Sequence, residues 1–259
     1  MSTAAFQRRA VYPSLEHRKV VVTGGGSGIG AAIVEAFARQ GAHVTFLDIA
    51  EGDSRALERE LGTLPAKPVY LPCDLTDLEA MARAFNAIEA RHGAVQVLVN
   101  NAANDDRHQL EQITPAYWDD RIAVNLRHLF FSAQAVAPGM KAAGAGAIIN
   151  LGSISWHLGL KDLAIYQTAK AGVEGLTRAL ARELGPFGVR AVCVVPGAVR
   201  TPRQSRLWLT PDVEAEIITD QCIRSRIEPM DVASMILFLA SDDARMCTGH
   251  EYFVDAGWC

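Results

Sequence analysis

Short apolar runs alternate with longer amphipathic segments along the chain, from Lys19 to about Val195. The apolar runs predict strands at 20–22, 44–47, 69–71, 95–99, 147–151, 189–195 and 252–254. Helical periodicity predicts helices at 31–40, 55–61, 78–91, 163–184 and 231–240, one helix or a closely joined pair over 119–142, and a helical piece from 210. This alternation is typical of β–α–β units around a buried parallel sheet.

These elements predict an α/β fold. We expect one doubly wound Rossmann-type domain over residues 1–259, with a mostly parallel seven-stranded sheet, helices on both faces and residues 1–17 as an N-terminal extension. The spacing of Thr76 and Glu79 matches a capping box and predicts that the third helix begins there.

Charge and cysteine content exclude several classes of protein. The formal net charge of -4 and the lack of a long Lys/Arg block argue against nucleic acid as a partner. Five scattered cysteines without Cys-x-x-Cys spacing favour a reducing cytoplasm, and we expect no metal site. No run of about 20 uncharged apolar residues predicts a membrane span, and the charged start of the chain does not match a standard export signal.

A glycine-rich turn follows the first predicted strand and precedes a helix. Its residues are Gly24, Ser27, Gly28, Ile29 and Gly30. Such a turn directs backbone N–H groups and the positive end of a helix at a pyrophosphate, so it predicts a dinucleotide site.

Asp48 ends the second predicted strand, eighteen residues after Gly30. A carboxylate at this place accepts hydrogen bonds from an adenosine ribose and repels a 2′-phosphate. We therefore expect NAD as the cofactor in preference to NADP, although Arg55 lies near enough in sequence to leave NADP open.

Tyr166 and Lys170 are four residues apart, thirteen residues after Ser153 at the end of a predicted strand. Residues four apart share a helix face, so the Lys170 ammonium is expected to favour the ionised form of the Tyr166 phenol. The three side chains together predict a proton-transfer site beside the dinucleotide.

The ordered set of motifs resembles the short-chain dehydrogenase/reductase family. It comprises the glycine turn from Thr23, Asp74, Asn100-Asn101-Ala102, Asn125, Ser153, Tyr166 with Lys170, and Pro196-Gly197. The resemblance implies hydride transfer with a nicotinamide cofactor and a catalytic tetrad of Asn125, Ser153, Tyr166 and Lys170. It also implies cofactor contacts from Asp74, Leu75, Asn101, Tyr166, Lys170, Pro196, Gly197, Val199 and Thr201, and a homotetramer.

Segments after Asn101, around Ser153 and at the chain end are similar to bacterial NAD-dependent D-xylose 1-dehydrogenases within that family. This similarity implies oxidation of an aldose at C1 to an aldonolactone. Two alternatives remain: a reductase of another alcohol or ketone, such as 3-oxoacyl substrates, and a non-catalytic NAD-sensing module.

Substrate residues are predicted from position. Trp156 and His157 follow Ser153, and with Ser153 and Asn104 they are expected to form the sugar-binding wall. The alternative is packing within the loop for Trp156 and solvent exposure for His157. Segment 203–226 is expected to be a lid, with a packed satellite helix as the alternative.

Overall fold

A single parallel sheet organises the chain. The computed structural model describes residues 10–259, in which seven strands have the order β3-β2-β1-β4-β5-β6-β7 and all pair in parallel. The strands are β1 Lys19–Thr23, β2 His43–Asp48, β3 Val69–Pro72, β4 Val97–Asn100, β5 Gly146–Leu151, β6 Val189–Pro196 and β7 Glu251–Val254. The α/β, doubly wound Rossmann-type fold with a seven-stranded sheet is thereby confirmed.

Helices with an apolar side cover both faces of the sheet. Those of the described residues are α1 Gly28–Arg39, α2 Glu51–Glu60, α3 Leu78–His92, α4 Pro115–Ile122, α5 His128–Ala143, α6 Ile154–Leu158, α7 Ala164–Leu184, α8 Pro202–Leu207, α9 Pro211–Asp220 and α10 Pro229–Ala240. On one face, α1 and α10 bury side chains such as Phe37 and Ile236. On the other, α3, α5 and α7 bury Phe85, Met140 and Leu180.

A buried polar chain crosses the middle of the sheet. Asn100 Nδ2 donates to Asn150 Oδ1 at 2.9 Å, and Asn150 Nδ2 donates to Thr177 Oγ1 at 3.0 Å. Ser132 Oγ donates to Asn100 Oδ1 at 2.7 Å. These four buried residues link α5, β4, β5 and α7 where Asn100 and Asn150 are paired in register.

Several boundaries differ from the sequence prediction. Asp77, and not Thr76, caps α3, because its carboxylate accepts from the backbone N–H groups of Glu79 and Ala80. The helical region predicted over 119–142 is divided by a π-helical turn at Ala123–Arg127, which shifts the side chains after it around the helix axis.

Of the predicted N-terminal extension, residues 1–9 lie outside the described part. The rest packs on the domain, because Leu15 in the short turn Pro13–Leu15 is fully buried. In the described residues, no helix combines the length and apolar character needed to cross a membrane.

Candidate active site

A cavity of about 810 Å³ opens at the carboxyl edge of the sheet. The residues after β1, β4, β5 and β6 line it, as parallel α/β sheets commonly arrange ligand sites. Its roof comes from the segment of α8 and α9, in which Trp208 and Leu209 lie between the two helices and Ile217 lies on α9.

The glycine turn shapes one end of the cavity. Gly24 has a φ of +64°, and a Cβ there would lie 2.7 Å from the Cα of Ala102. A Cβ at Gly30 would overlap the carbonyl oxygen of Gly24. Because neither position accepts a side chain, the start of α1 lies close to β1 and β4, and the lining residues Ser27, Gly28 and Ile29 present this helix start to the cavity.

Asn101 fixes the turn from the neighbouring strand end. Its side-chain amide donates to the carbonyl oxygens of Thr23 and Gly24, at 3.1 and 2.8 Å. Its backbone N–H donates to Thr23 Oγ1 at 3.0 Å. In this structure Asn101 therefore joins the ends of β1 and β4 and also lines the cavity.

The Asp48 carboxylate lies at the same end, beyond the glycine turn. Oδ2 accepts from the N–H of Gly26 and Oδ1 from the N–H of Ala50, both at 2.8 Å. The buried hydroxyl of Ser54 lies beside this carboxylate and the glycine turn, and its hydrogen bond to Tyr70 acts to lower the pKa of that phenol. The two backbone hydrogen bonds hold the Asp48 carboxylate at the cavity wall.

Asp74 and Leu75 line the cavity after β3. Asp74 Oδ1 accepts from the N–H and the hydroxyl of Thr76, at 2.8 and 2.7 Å, and this turn fixes the loop. At the other end, Pro196, Gly197, Val199 and Thr201 also line the cavity, and Thr201 caps α8.

Lys170 and Tyr166 meet on one face of α7, as their spacing predicts. Lys170 Nζ lies 5.5 Å from the centre of the Tyr166 ring and donates to the carbonyl oxygen of Leu151 at 2.7 Å. Burial lowers the pKa of Lys170 to about 8. Burial also raises the pKa of Tyr166 above its usual value, with a further contribution from Asp105.

The pKa of Tyr166 thus lies above its usual value, and the expectation that Lys170 favours the ionised phenol stays a prediction. The physical reason for the raised pKa is desolvation, which disfavours a charged phenolate and outweighs the opposing influences of Ser153 and Arg107.

Ser153 follows β5 and caps α6. Its Oγ donates to Ser155 Oγ at 2.9 Å and accepts from the N–H of Ser155 at 3.2 Å. A hydrogen bond between Ser153 and Tyr166 also acts on the Tyr166 pKa, in the direction that lowers it. Ser153, Tyr166 and Lys170 all line the cavity.

Asn125 lies in the π-helical turn and is fully buried. Its Oδ1 accepts from the N–H of Asn104 at 2.8 Å, and its Nδ2 donates to the carbonyl oxygens of Asn104 and Arg121, both at 3.0 Å. Asn125 does not line the cavity. It fixes the backbone of Asn104, and Asn104 does line the cavity.

Trp156 and His157 do not line the cavity, which corrects the prediction that they form the substrate wall. The predicted loop is the short helix α6, and both side chains point from it toward Glu174 of α7. Trp156 Nε1 donates to Glu174 Oε1 at 2.8 Å, and His157 Nε2 lies 2.9 Å from the same oxygen. Trp156 therefore packs as in the alternative interpretation, while His157 is half-buried and not solvent-exposed.

Residues of the segment predicted as a lid line the cavity, and the lid role itself stays a prediction. Arg203 Nε donates to Asp105 Oδ1 at 3.1 Å, its Nη2 donates to Asn104 Oδ1 at 3.2 Å, and Gln204 Nε2 donates to Asp105 Oδ2 at 2.7 Å. These bonds join α8 to the loop after β4. The Arg107 guanidinium lies 5.2 Å from the centre of the Trp208 ring and braces the roof.

Sequence reasoning missed Asp105, Trp208 and Trp258 as cavity-lining residues. Trp208 carried a usable signal, since it is the tryptophan of the predicted lid. Its Nε1 is buried without a hydrogen-bond partner among the described residues. No local sequence signal pointed to Asp105, because its partner Arg203 lies 98 positions away in the chain.

Among the described residues, no three His, Cys, Asp or Glu side chains are grouped closely enough to hold a metal ion.

A family model described as enoyl-(acyl carrier protein) reductase matches residues 24–259. D-xylose 1-dehydrogenase of Caulobacter vibrioides is 64% identical over 96% of this chain and 98% of the relative. The chain belongs to the short-chain dehydrogenase/reductase family. As a member of that family it is an oxidoreductase that uses a nicotinamide cofactor.

Other members of the short-chain dehydrogenase/reductase family are also similar. The protein named "Probable galactose dehydrogenase GalD" of Rhizobium meliloti is 47% identical over 95% of this chain and 96% of its own length. The crystal structure of a candidate short-chain alcohol dehydrogenase from Sinorhizobium meliloti 1021 has a TM-score of 0.89 and 31% identity, covering 95% of this chain and 98% of that one.

Proposed function

We propose that the protein oxidises an aldose, D-xylose in the first place, at C1 to the aldonolactone with NAD. One observation carries the proposal: the curated relative at 64% identity over nearly the whole chain is named a D-xylose 1-dehydrogenase. Convergence of Ser153, Tyr166 and Lys170 on one cavity supports it, because oxidation of an alcohol needs a base and an oxygen-orienting donor together.

The residues at the glycine turn fit a dinucleotide. Close approach of backbone is possible at Gly24 and Gly30, where a Cβ would collide, and the start of α1 offers N–H groups for a pyrophosphate. We propose that Asp48 accepts the adenosine ribose hydroxyls and disfavours the 2′-phosphate of NADP. The position of the Asp48 carboxylate at the cavity wall, next to the glycine turn, supports this role.

Further cofactor contacts are proposed for the lining residues at each end of the cavity. Asp74, Leu75 and Asn101 would hold the adenosine side, and Pro196, Gly197, Val199 and Thr201 would flank the nicotinamide. Lys170 would bind the nicotinamide ribose.

In the proposed chemistry, Tyr166 removes the proton of the sugar's C1 hydroxyl while Ser153 holds the same oxygen. When bound, oxidised NAD would supply the hydride acceptor for C1 and a positive ring that would favour the ionised form of Tyr166. Loss of the proton and the hydride leaves a C=O bond at C1, which is the lactone carbonyl. Asn125 keeps the Asn104 loop in place and completes the tetrad as the proposed proton-relay residue.

Two rival functions follow from the same fold. The matching family model is described as a reductase of enoyl-acyl carrier protein, which favours an acyl substrate as the first alternative. A non-catalytic NAD-sensing module is the second alternative. The side chains of Ser153, Tyr166 and Lys170 at the cavity argue against it.

The deciding experiment is a panel of aldoses and carbonyl compounds with NAD and NADP, followed by the absorbance of the reduced nicotinamide. Turnover of D-xylose with NAD at the highest kcat/KM supports the proposal, and galactose and arabinose test the sugar specificity. Activity on 3-oxoacyl or ketone substrates without pentose turnover would replace it with the first alternative. NAD binding without any turnover would favour the second.

We further propose a cytoplasmic homotetramer. Exposed aromatic side chains on adjacent helices, Trp118 of α4 at 41% and Phe130 of α5 at 47%, support contact with other copies of the chain. The five free cysteines support a reducing compartment. Light scattering coupled to gel filtration tests the tetramer, and fractionation of the native cells tests the location.

A further inference from the structure

Asp105 holds an unusual position between the lid and the catalytic residues. It follows β4, lines the cavity, and its side chain is only 18% exposed. The two carboxylate oxygens are held by different residues of α8: Oδ1 accepts from Arg203 Nε at 3.1 Å and Oδ2 from Gln204 Nε2 at 2.7 Å. The carboxylate is therefore fixed at the cavity wall from the lid side.

This arrangement leaves capacity for a ligand. A carboxylate oxygen accepts about two hydrogen bonds, and each oxygen of Asp105 has one from the lid. One further acceptor site therefore remains on each oxygen. Hydroxyl groups on neighbouring sugar carbons are paired donors, and hydrogen bonds from them to an ionised acceptor are among the strongest available.

Electrostatics indicates that this carboxylate is close to the reacting groups. The charge of Asp105 raises the pKa of Tyr166 and also that of Lys170. Arg107 and Ser153 act on Tyr166 in the opposite direction, and the buried Cys193 acts on Lys170. His128 is the other titratable group whose pKa is coupled to Lys170.

We propose that Asp105 is a substrate-binding and specificity-determining residue, whose carboxylate accepts hydrogen bonds from sugar hydroxyls other than the one on C1. The proposal rests on the proposed aldose oxidation and deepens it. In this proposal, Arg203 and Gln204 orient the Asp105 carboxylate that binds the sugar hydroxyls.

The neighbouring residue supplies a matched control. Asp106 accepts from the same guanidinium, Arg203 Nη2, at 2.5 Å, and from Arg121 Nη1 at 3.2 Å. Its side chain is 47% exposed and does not line the cavity. The two variants Asp105→Asn and Asp106→Asn thus remove the same charge beside the same arginine, but only one removes it from the cavity.

The experiment compares kinetics of the wild type and both variants with D-xylose and NAD. In Asp105→Asn, the KM for the sugar is expected to rise about tenfold or more, because hydrogen bonds to a charged acceptor are lost. The KM for NAD should change less than twofold. The acid limb of the pH profile of kcat/KM should move to lower pH, since removal of the negative charge eases ionisation of Tyr166. Asp106→Asn should show neither effect.

Monodeoxy pentoses give a second, independent measurement. In the wild type, removal of the hydroxyl that faces Asp105 should lower kcat/KM about tenfold, and in Asp105→Asn the same removal should cost much less. Arg203→Gln tests the merely structural role: it breaks the lid contact but keeps the carboxylate, so discrimination between the sugars should survive. If Asp105→Asn does not fold, Asp105→Ser removes the same carboxylate and has the same expected result.

The outcomes separate the two proposals. A wild type that turns over aldoses, together with an Asp105→Asn variant whose sugar KM and deoxy discrimination match those of Asp106→Asn, overturns only the role of Asp105. A wild type that turns over no aldose overturns the proposed function, and the role of Asp105 falls with it.

Discussion

The Lys170 ammonium approaches the ring of Tyr166 to 5.5 Å from its centre, while its hydrogen bond goes to the carbonyl oxygen of Leu151 at 2.7 Å. The lysine is therefore fixed by the end of β5, and we predict that it acts on the phenol as a charge through space. Burial of both groups makes this influence sensitive to the protonation of each, since each charged form is disfavoured.

Oxidation should therefore rise with pH, because burial raises the pKa of Tyr166 and the phenolate becomes more abundant as pH increases. Lys170→Ala should move the acid limb of the kcat/KM profile to higher pH. It should also lower kcat by about a hundredfold or more, because proton transfer to Tyr166 becomes less efficient. Profiles of the wild type and of the exposed-site control Lys141→Ala should coincide. An unchanged acid limb in Lys170→Ala would remove the lysine from this role.

Asp48 is expected to set the cofactor preference. Because like charges placed together cost several kcal/mol, Asp48→Asn should raise the NADP/NAD ratio of kcat/KM by at least about tenfold. Asparagine can keep one of the two backbone hydrogen bonds, to Gly26 or Ala50, so the turn should survive. Kinetics with both cofactors measures the ratio, and Asp53→Asn on the exposed start of α2 serves as the control. Equal ratios in the wild type and Asp48→Asn would contradict the role.

Two tryptophans should respond in opposite ways. Trp208 lines the roof of the cavity, so Trp208→Ala should raise the KM for the sugar roughly tenfold with little effect on the KM for NAD. Trp156 packs away from the cavity and donates to the buried Glu174, so Trp156→Ala should cost about 3 kcal/mol or more of unfolding free energy and leave the sugar KM unchanged. Kinetics and denaturant unfolding of both variants check this. A raised sugar KM in Trp156→Ala, with an unchanged sugar KM in Trp208→Ala, would instead place Trp156 in the substrate wall.

Stability should fall in mild acid because of His128. This side chain is fully buried, and burial lowers its pKa from 6.5 to about 4. Between these values the unfolded chain binds a proton that the folded protein does not, so stability is lost as pH falls from about 6.5 to 4, by about 3 kcal/mol in total. His128→Gln should show a flatter decline in urea unfolding across this range, whereas His250→Gln at an exposed position should follow the wild type. Identical slopes for His128→Gln and the wild type would exclude His128 as the source.

The strands and most helices could be predicted because their signals are local. Apolar runs and helical periodicity act within a few residues, and Thr210, where a helical piece is predicted to begin, caps α9. The meeting of Tyr166 and Lys170 follows from helix spacing alone.

The predicted substrate wall depended on the direction of side chains in a short connection. Ser153 caps a helix of one turn and a half, and Gly159 ends it in the left-handed region, which turns Trp156 toward α7. The π-helical turn at Asn125 and the bond between Asp105 and Gln204 are likewise tertiary outcomes, since each depends on contacts between segments remote in sequence. No short window of sequence contains them.

The side-chain bond between Asn100 and Asn150 has a consequence for how this enzyme can diversify. A slip of one residue between β4 and β5 would place the two amides on opposite faces of the sheet and break the bond that joins them in the dry interior. The bond between Asn100 and Asn150 therefore fixes the spacing between Asn101 and Ser153, which lie just after β4 and β5. Mutations can accumulate in the loop after Asn101 and in the helices of the roof, so new sugars can be recognised while the reacting groups keep their places.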